Sequence, residues 1–312
     1  MPLIIDSHAH VFPDLRKREW TEGKLGKLRE RAKVLWKPVS KSMHAAQTVI
    51  RHLPEKTRNR LDALSGVAPL AGLLIESIPE DLLASMNESA VDFTVVIAHP
   101  PLITNDFIME LCAKNPRLIP VVNIPKGTPK PATHFRALAK KGAKALKIHA
   151  SADGDPITTP RYRSLVKAAS DLGLPVIIHT GCVHSKVLYK DPDMGRAELF
   201  VPWFKEYPKT RFILAHMNFH DPEMAMDLAE THANLYLETS WQPAEVIGES
   251  VRRVGADRVL FGSDWPFVGS NTKVGLSRIR DGVETGAMTE NQAKLILGQN
   301  AAEIFGVQPH AP

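Results

Sequence analysis

Residues 3–10 read Leu3-Ile4-Ile5-Asp6-Ser7-His8-Ala9-His10. Three apolar residues, two of them β-branched, favour an extended strand. That strand runs into an aspartate and two histidines, and the turn beyond it, Val11-Phe12-Pro13, has no glycine. The missing glycine separates two architectures. An open doubly wound sheet normally carries a Gly-rich turn after its first strand, and this chain places imidazoles there instead.

Working outward, seven further short apolar runs recur. Phe93 to Ala98 ends at His99, and Leu118 to Ile124 includes Asn123. Ala143 to Ile148 carries Lys147 and ends near His149. Leu174 to Ile178 ends at His179, and Arg211 to Ala215 ends at His216. Asn234 to Leu237 ends at Glu238-Thr239, and Arg258 to Phe261 ends at Gly262-Ser263-Asp264. Helical patterns separate most of these runs, as in Thr159 to Leu172 and Pro222 to His232. In the last one, Thr289 and Gln292 form a capping-box pattern. Ala293, Ile296, Leu297, Ala301, Ile304 and Phe305 then follow at helical spacing.

Alternating strands and helices predict a parallel sheet with helices outside. Eight runs are the number that closes a (β/α)8 TIM barrel. A single domain over residues 1–312 is expected. Residues 13–90, between the first two runs, are too many for one crossover helix. The segment 14–65 is charged and helix-prone, broken by Pro38 and Pro54, and reads as a helical insertion after strand 1 over the barrel mouth. An active-site lid, a subunit contact and a plain surface helix pair all suit it.

Composition narrows the function classes. Of 312 residues, 23% are charged and 44% hydrophobic, the balance of an ordinary globular protein. The net charge of +5 suits an anionic small substrate. No basic stripe with interleaved aromatics points to nucleic acid. Much of the excess lies in 16–33, where Arg16, Lys17, Arg18, Lys24, Lys27, Arg29, Arg31 and Lys33 face only Glu19, Glu22 and Glu30. That pattern reads as a solvated helical face. Two cysteines, Cys112 and Cys182, are too few for a disulfide framework and suggest a reducing compartment. No basic-then-apolar leader is seen, and no apolar run nears the ~18 residues of a membrane span. A cytoplasmic protein without membrane contact is expected.

His8 and His10 stand two apart, so on a strand both side chains face the barrel interior. Neutral imidazole is the commonest zinc ligand. Asp6 shares their parity one step deeper and could orient a ligand histidine. In a barrel, the C-terminal strand ends converge on one mouth. His179, His216 and Asp264 would therefore meet His8 and His10 despite their separation in sequence.

Asp6-Ser7-His8-Ala9-His10, His179, His216 and Leu260-Phe261-Gly262-Ser263-Asp264-Trp265-Pro266 together resemble the amidohydrolase superfamily. The resemblance is strongest to the branch containing aminocarboxymuconate semialdehyde decarboxylase and related decarboxylases and hydrolases. The ending Ile296-Leu297-Gly298-Gln299-Asn300-Ala301-Ala302-Glu303-Ile304-Phe305-Gly306 is similar to that branch too. The likeness covers nearly the whole chain except 14–65, and it specifies the superfamily rather than one reaction.

The resemblance implies that His8, His10, His179 and Asp264 hold a single divalent metal, commonly zinc, and that His216 moves protons beside it. Zinc lowers the pKa of bound water to near ~7, giving hydroxide at neutral pH. Asp264 is then placed to share the water's proton. In binuclear relatives a lysine on the fourth strand is carboxylated and bridges two metals. Lys147 holds that position, and a second ion would then involve His179 and His216. The favoured reading keeps one metal, with Lys147 an unmodified cation for a substrate carboxylate. An interior lysine paired with an acid is the remaining alternative.

His149 shares the inward parity of Lys147 and is a candidate substrate contact. His99 and Asn123 lie where substrate groups should sit. Trp241 and Trp265 could wall an aromatic or unsaturated substrate, or simply pack. Cys182, in His179-Thr180-Gly181-Cys182-Val183-His184, lacks the partner spacing of a soft metal ligand. The leading expectation is hydrolysis of an amide, ester or lactone in a small carboxylate-bearing molecule. Decarboxylation of an aromatic or muconate-like acid comes second and hydration of an unsaturated acid third. A non-catalytic metal-binding protein is the alternative of a different class. Subunit pairing is common in the resembled branch, so a homodimer is expected.

Overall fold

The computed structural model describes residues 2–14, 48–65, 75–185, 188–267 and 271–308, with isolated positions between 27 and 73. Eight strands follow one another: β1 (Ile5–Ala9), β2 (Phe93–Ile97), β3 (Leu118–Val122), β4 (Ala145–Ile148), β5 (Val176–His179), β6 (Phe212–Ala215), β7 (Leu235–Glu238) and β8 (Val259–Leu260). They lie side by side in sequence order, and each neighbouring pair is parallel. The gap from β8 back to β1 is closed by the segment just after β8. Ser7 N–H donates to the Phe261 carbonyl at 2.9 Å, Asp264 N–H to the His8 carbonyl at 2.7 Å, and His10 N–H to the Trp265 carbonyl at 2.6 Å. The result is a (β/α)8 barrel, as the alternation of runs predicts.

Strand parity divides the interior from the helix layer. Ala145 on β4 and Ile177 on β5 join Ile5, Val95, Val121, Ile213 and Leu260 in one buried cluster. Their neighbours Leu146, Ile148, Val176 and Ile178 pack outward against Phe135, Tyr162, Leu165 and Phe204. Lys147 and His179 thus continue the interior rows toward the C-terminal mouth. Ala301, Ile304 and Phe305 of the final helix pack on the same interior cluster as Ile5 and Leu260, closing the opposite end.

Helix ends follow local chemistry. The helix expected from Thr159 spans Pro160–Asp171, and the Thr159 hydroxyl accepts from Tyr162 N–H. Pro79, Pro131, Pro160 and Pro222 each open a helix, where a missing N–H costs nothing. The capping box of Thr289 and Gln292 is present. The helix beyond it is not continuous: a wide π-turn occupies Leu295–Gln299 between Glu290–Lys294 and Asn300–Phe305. The Ile296 carbonyl there accepts from Phe261 N–H at 2.9 Å, a bond that ties the turn to the end of β8.

Strand β1 differs from its expected extent. The apolar run stops at Ile5, yet pairing with β2 continues to Ala9, through the polar residues. The register shifts between Asp6 and Ala9, so β1 bulges at Ser7-His8. Of the insertion expected over 14–65, the described part contains the helix Glu55–Ser65. Its Asp62 accepts from His184 N–H at 3.2 Å and meets His220 Nε2 at 3.1 Å, which ties it to the loops after β5 and β6. The basic stretch 16–33 lies outside the described residues except at isolated positions. Among the described residues, no helix is long and apolar enough to cross a membrane.

Candidate active site

The bulged end of β1 and the turn after β8 bring three of the expected ligands together. His8 Nε2 and His10 Nε2 are 3.3 Å apart, and Asp264 Oδ1 lies 3.7 Å from the first and 3.6 Å from the second. All three residues are buried, and their donor atoms fall within 4.8 Å of one another, as metal ligands would. Burial drives the imidazole pKa of both histidines well below the usual value, with Lys147 adding to the effect. Neutral imidazole is the form that binds a metal.

His179 stands on the interior row of β5. Its ring stacks on His149 with centroids 3.9 Å apart and lies 5.0 Å from the His216 ring. Its Nε2 is buried without a hydrogen-bond partner. Leaving such an atom unsatisfied costs roughly 1–3 kcal/mol, a cost that a bound cation removes. Two close imidazoles and an adjacent carboxylate make a donor set that fits a divalent ion; His179, the fourth expected ligand, stands outside that 4.8 Å group, beside His216.

His216 follows β6 at the start of an unusual backbone. His216, Met217, Asn218 and Phe219 all have positive φ, at 62°, 45°, 59° and 46°. Non-glycine residues held in the left-handed region cost of order 1–3 kcal/mol each and need support from their surroundings. Gln242 Nε2 gives that support, donating to the carbonyls of His216 and Phe219 at 2.7 and 2.9 Å. The His216 ring centre lies 4.8 Å from that of His8, and its Nδ1 is 2.6 Å from Ser240 Oγ.

Two carboxylates organise these groups differently from the expectation. Asp6 does not reach a histidine ring. It accepts from Ser263 Oγ at 2.5 Å, from Ser263 N–H at 2.9 Å and from His8 N–H at 3.1 Å, so it pins backbone. The ring of His8 is held instead by Glu238, whose Oε2 lies 3.0 Å from Nδ1. Glu238 is fully buried and also accepts from His216 N–H at 3.0 Å, Ser240 Oγ at 2.8 Å and Ser240 N–H at 2.5 Å. Sequence reading took Glu238 only as a strand end. The available signal was a charged residue on the interior parity of an otherwise apolar run.

Asp264 and Lys147 complete the charge balance. Burial raises the Asp264 carboxyl to about 8; the Trp241 N–H at Oδ2 pulls it back down and Glu238 pushes it up. Burial lowers the Lys147 ammonium to about 8, against the pull of Asp264 and Glu238. Lys147 Nζ is buried with no hydrogen-bond partner. His99 and His149 have ring centres 5.1 Å apart, and burial lowers His99 to about 4. Tyr189, from the loop after β5, lies 5.3 Å from both His149 and His179 and carried no signal in the sequence. Asn123 is buried, and its backbone is paired with the Asn105 side chain. Burial pushes the Cys182 thiol up to about 12, so it stays protonated near neutrality.

Trp241 joins the group through Asp264, whereas Trp265 does not. The Trp265 side chain is fully buried in an apolar cluster with Ala9, Val11, Phe12, Leu82 and Met86. It therefore packs behind the barrel wall, and the expectation that it walls the substrate gives way to a core role. The physical reason is the turn after β8: Asp264 has a left-handed backbone, and the next residue pairs with Ala9 and packs beside it in that apolar cluster.

A parallel barrel whose strand ends gather imidazoles and carboxylates around one point defines a class, the (β/α)8 proteins equipped to hold a catalytic metal ion. The chain belongs to the amidohydrolase family, whose profile matches residues 5–307. This is a family of metal-dependent enzymes. Solved structures share the fold. An uncharacterized TIM-barrel protein from Bordetella bronchiseptica matches at TM-score 0.67 and 18% identity, over 97% of this chain and 98% of that one. A 5-carboxyvanillate decarboxylase from Sphingomonas paucimobilis matches at 0.64 and 16%, over 99% and 100%. A probable 2-pyrone-4,6-dicarboxylic acid hydrolase from Acinetobacter baumannii, with citric acid bound, matches at 0.59 and 14%, over 97% and 99%. No curated protein matches the sequence.

Proposed function

We propose that this protein hydrolyses an amide, ester or lactone in a small carboxylate-bearing substrate, with one divalent cation, preferably zinc, on His8, His10, His179 and Asp264. The observation that carries the reading is Lys147. Its ammonium is buried among histidines and has no hydrogen-bond partner. A buried cation is costly unless paired, and a substrate carboxylate supplies the pair. His149, buried, and His99, half-buried, are both held neutral, flank the same space and can donate or accept hydrogen bonds to the remainder of the ligand.

The cation would act as a Lewis acid and lower the pKa of coordinated water toward ~7. The remaining work belongs to side chains. His216, held through Nδ1 by Ser240, keeps its other nitrogen to take or give a proton. Asp264, fixed at Oδ2 by Trp241, keeps Oδ1 toward His8 and His10. The likeness to the probable 2-pyrone-4,6-dicarboxylic acid hydrolase supports this reading.

Decarboxylation is the second reading, favoured by the likeness to 5-carboxyvanillate decarboxylase and by the abundance of neutral imidazoles. There a C–C bond breaks and carbon dioxide leaves, and the carbon takes in its place a proton that His216 Nε2 has first accepted from solvent. Mass spectrometry of products from a panel of lactone, amide and aromatic carboxylates decides between them. Gain of one water supports hydrolysis, and loss of carbon dioxide replaces it with decarboxylation. Lys147→Met should raise KM for a carboxylate substrate at least about tenfold, near the worth of one charge-assisted hydrogen bond. An unchanged KM would remove the carboxylate from the proposal.

A further inference from the structure

We infer that Glu238 is a positioning residue shared by two imidazoles: one carboxylate sets the tautomer of His8 directly and that of His216 through Ser240. The argument starts from groups whose roles are fixed. His216 N–H donates to Oε2 and Ser240 N–H to Oε1, so both Glu238 oxygens act as acceptors. His8 Nδ1 lies 3.0 Å from Oε2, a hydrogen-bond length, and must carry the proton shared between them. His8 Nε2 is then a bare lone pair, and it faces His10 Nε2 and Asp264 Oδ1.

The second link runs through a hydroxyl. Ser240 has one hydrogen, and its Oγ stands 2.8 Å from Oε2, where only donation is favourable. With that hydrogen spent, Oγ accepts from His216 Nδ1–H at 2.6 Å. His216 Nε2 is bare as well. Glu238 therefore presents two Nε2 lone pairs, one suited to a cation and the other to a proton. A fixed tautomer of this kind comes from the bond made by the other ring nitrogen. Gly262 protects the arrangement, because a Cβ there would lie 2.1 Å from Glu238 Oε1 and displace the carboxylate.

The inference uses the proposed metal site for one readout and not for the other. Two-bond proton–nitrogen NMR on metal-free protein with isotope-labelled histidine should show His8 and His216 as Nδ1–H tautomers. Glu238→Gln should mix both. Ser240→Ala should change His216 alone, and it tests the relay even if Glu238→Gln does not fold. Zinc affinity by chelator competition should fall about 10–100-fold in Glu238→Gln, the usual effect of losing the partner of a ligand histidine, and stay within about twofold in Ser240→Ala. An Nε2–H tautomer at either histidine in the wild type overturns the inference. So does an unchanged His216 spectrum in Ser240→Ala, or wild-type tautomers and zinc affinity in Glu238→Gln. Wild-type protein that binds no zinc would remove the proposed metal site and leave the tautomers to decide this question alone.

Discussion

Trp241 Nε1 donates to Asp264 Oδ2 at 2.7 Å, and this bond leaves the other oxygen of the same carboxylate facing His8 and His10. Both residues have left-handed backbone, with φ of 68° and 57°. The contact joins the turns after β7 and β8. Trp241→Phe keeps an aromatic ring, though a smaller one, and removes the donor. Zinc affinity should fall about tenfold, at the low end for a residue that orients a metal ligand. Isothermal titration with zinc checks this, and an unaltered affinity would mean that Asp264 is oriented by something else.

Loading the protein should stabilise it by mass action. At free zinc about 100 times Kd, the gain is about 2.7 kcal/mol. Scanning calorimetry with and without chelator reads it as a rise in Tm. Elemental analysis should return one ion per chain. Two ions per chain would instead support a carboxylated Lys147 bridging a pair.

The carboxyl of Asp6 gives the metal-free protein a defined pH dependence. Burial raises it to about 7, although three hydrogen bonds from Ser263 and His8 oppose the shift. A carboxyl raised on folding adds stability below its unfolded pKa and loses it as pH climbs toward the folded one. The window is therefore from about pH 4 to about pH 7, and the loss is up to about 4 kcal/mol. Urea titrations of wild type and Asp6→Asn over that range should diverge. Parallel curves would show that Asp6 is already ionised in the folded chain.

Trp265 offers a sharp contrast with Trp241. Its side chain is completely buried among apolar neighbours, so Trp265→Ala should destabilise the fold by about 3–5 kcal/mol. Denaturant unfolding measures this. A variant with normal stability and impaired turnover would return Trp265 to the substrate wall.

How much of this could be read from the chain depends on the kind of signal. The strand ends were legible because parallel strands in a closed barrel are apolar runs, and His179, His216 and Asp264 interrupt them abruptly. The extent of β1 was not, because Asp6 and His8 are polar residues in a paired strand and hydrophobicity cannot register them. The ring contact expected of Asp6 falls to Glu238 for a related reason. Parity counted back from His8 puts Asp6 inside, but Ile5 holds the interior row, and the bulge at Ser7-His8 breaks the alternation, so Glu238 on β7 reaches the ring instead. Tyr189 comes from a long loop with no periodicity at all. The wide turn at Leu295–Gln299 is invisible to a 3.6-residue pattern, since one extra residue per turn preserves most of the apolar face.

The seam between the first and last strands carries a consequence for biosynthesis. The bonds that shut the cylinder, Asp264 N–H to the His8 carbonyl and His10 N–H to the Trp265 carbonyl, join the residues that present the candidate ligands. A nascent chain still lacking its final quarter has His8 and His10 but no wall for them to close against. Capture of the proposed ion would therefore wait for the eighth strand to emerge, and a prematurely terminated product should be open at this seam.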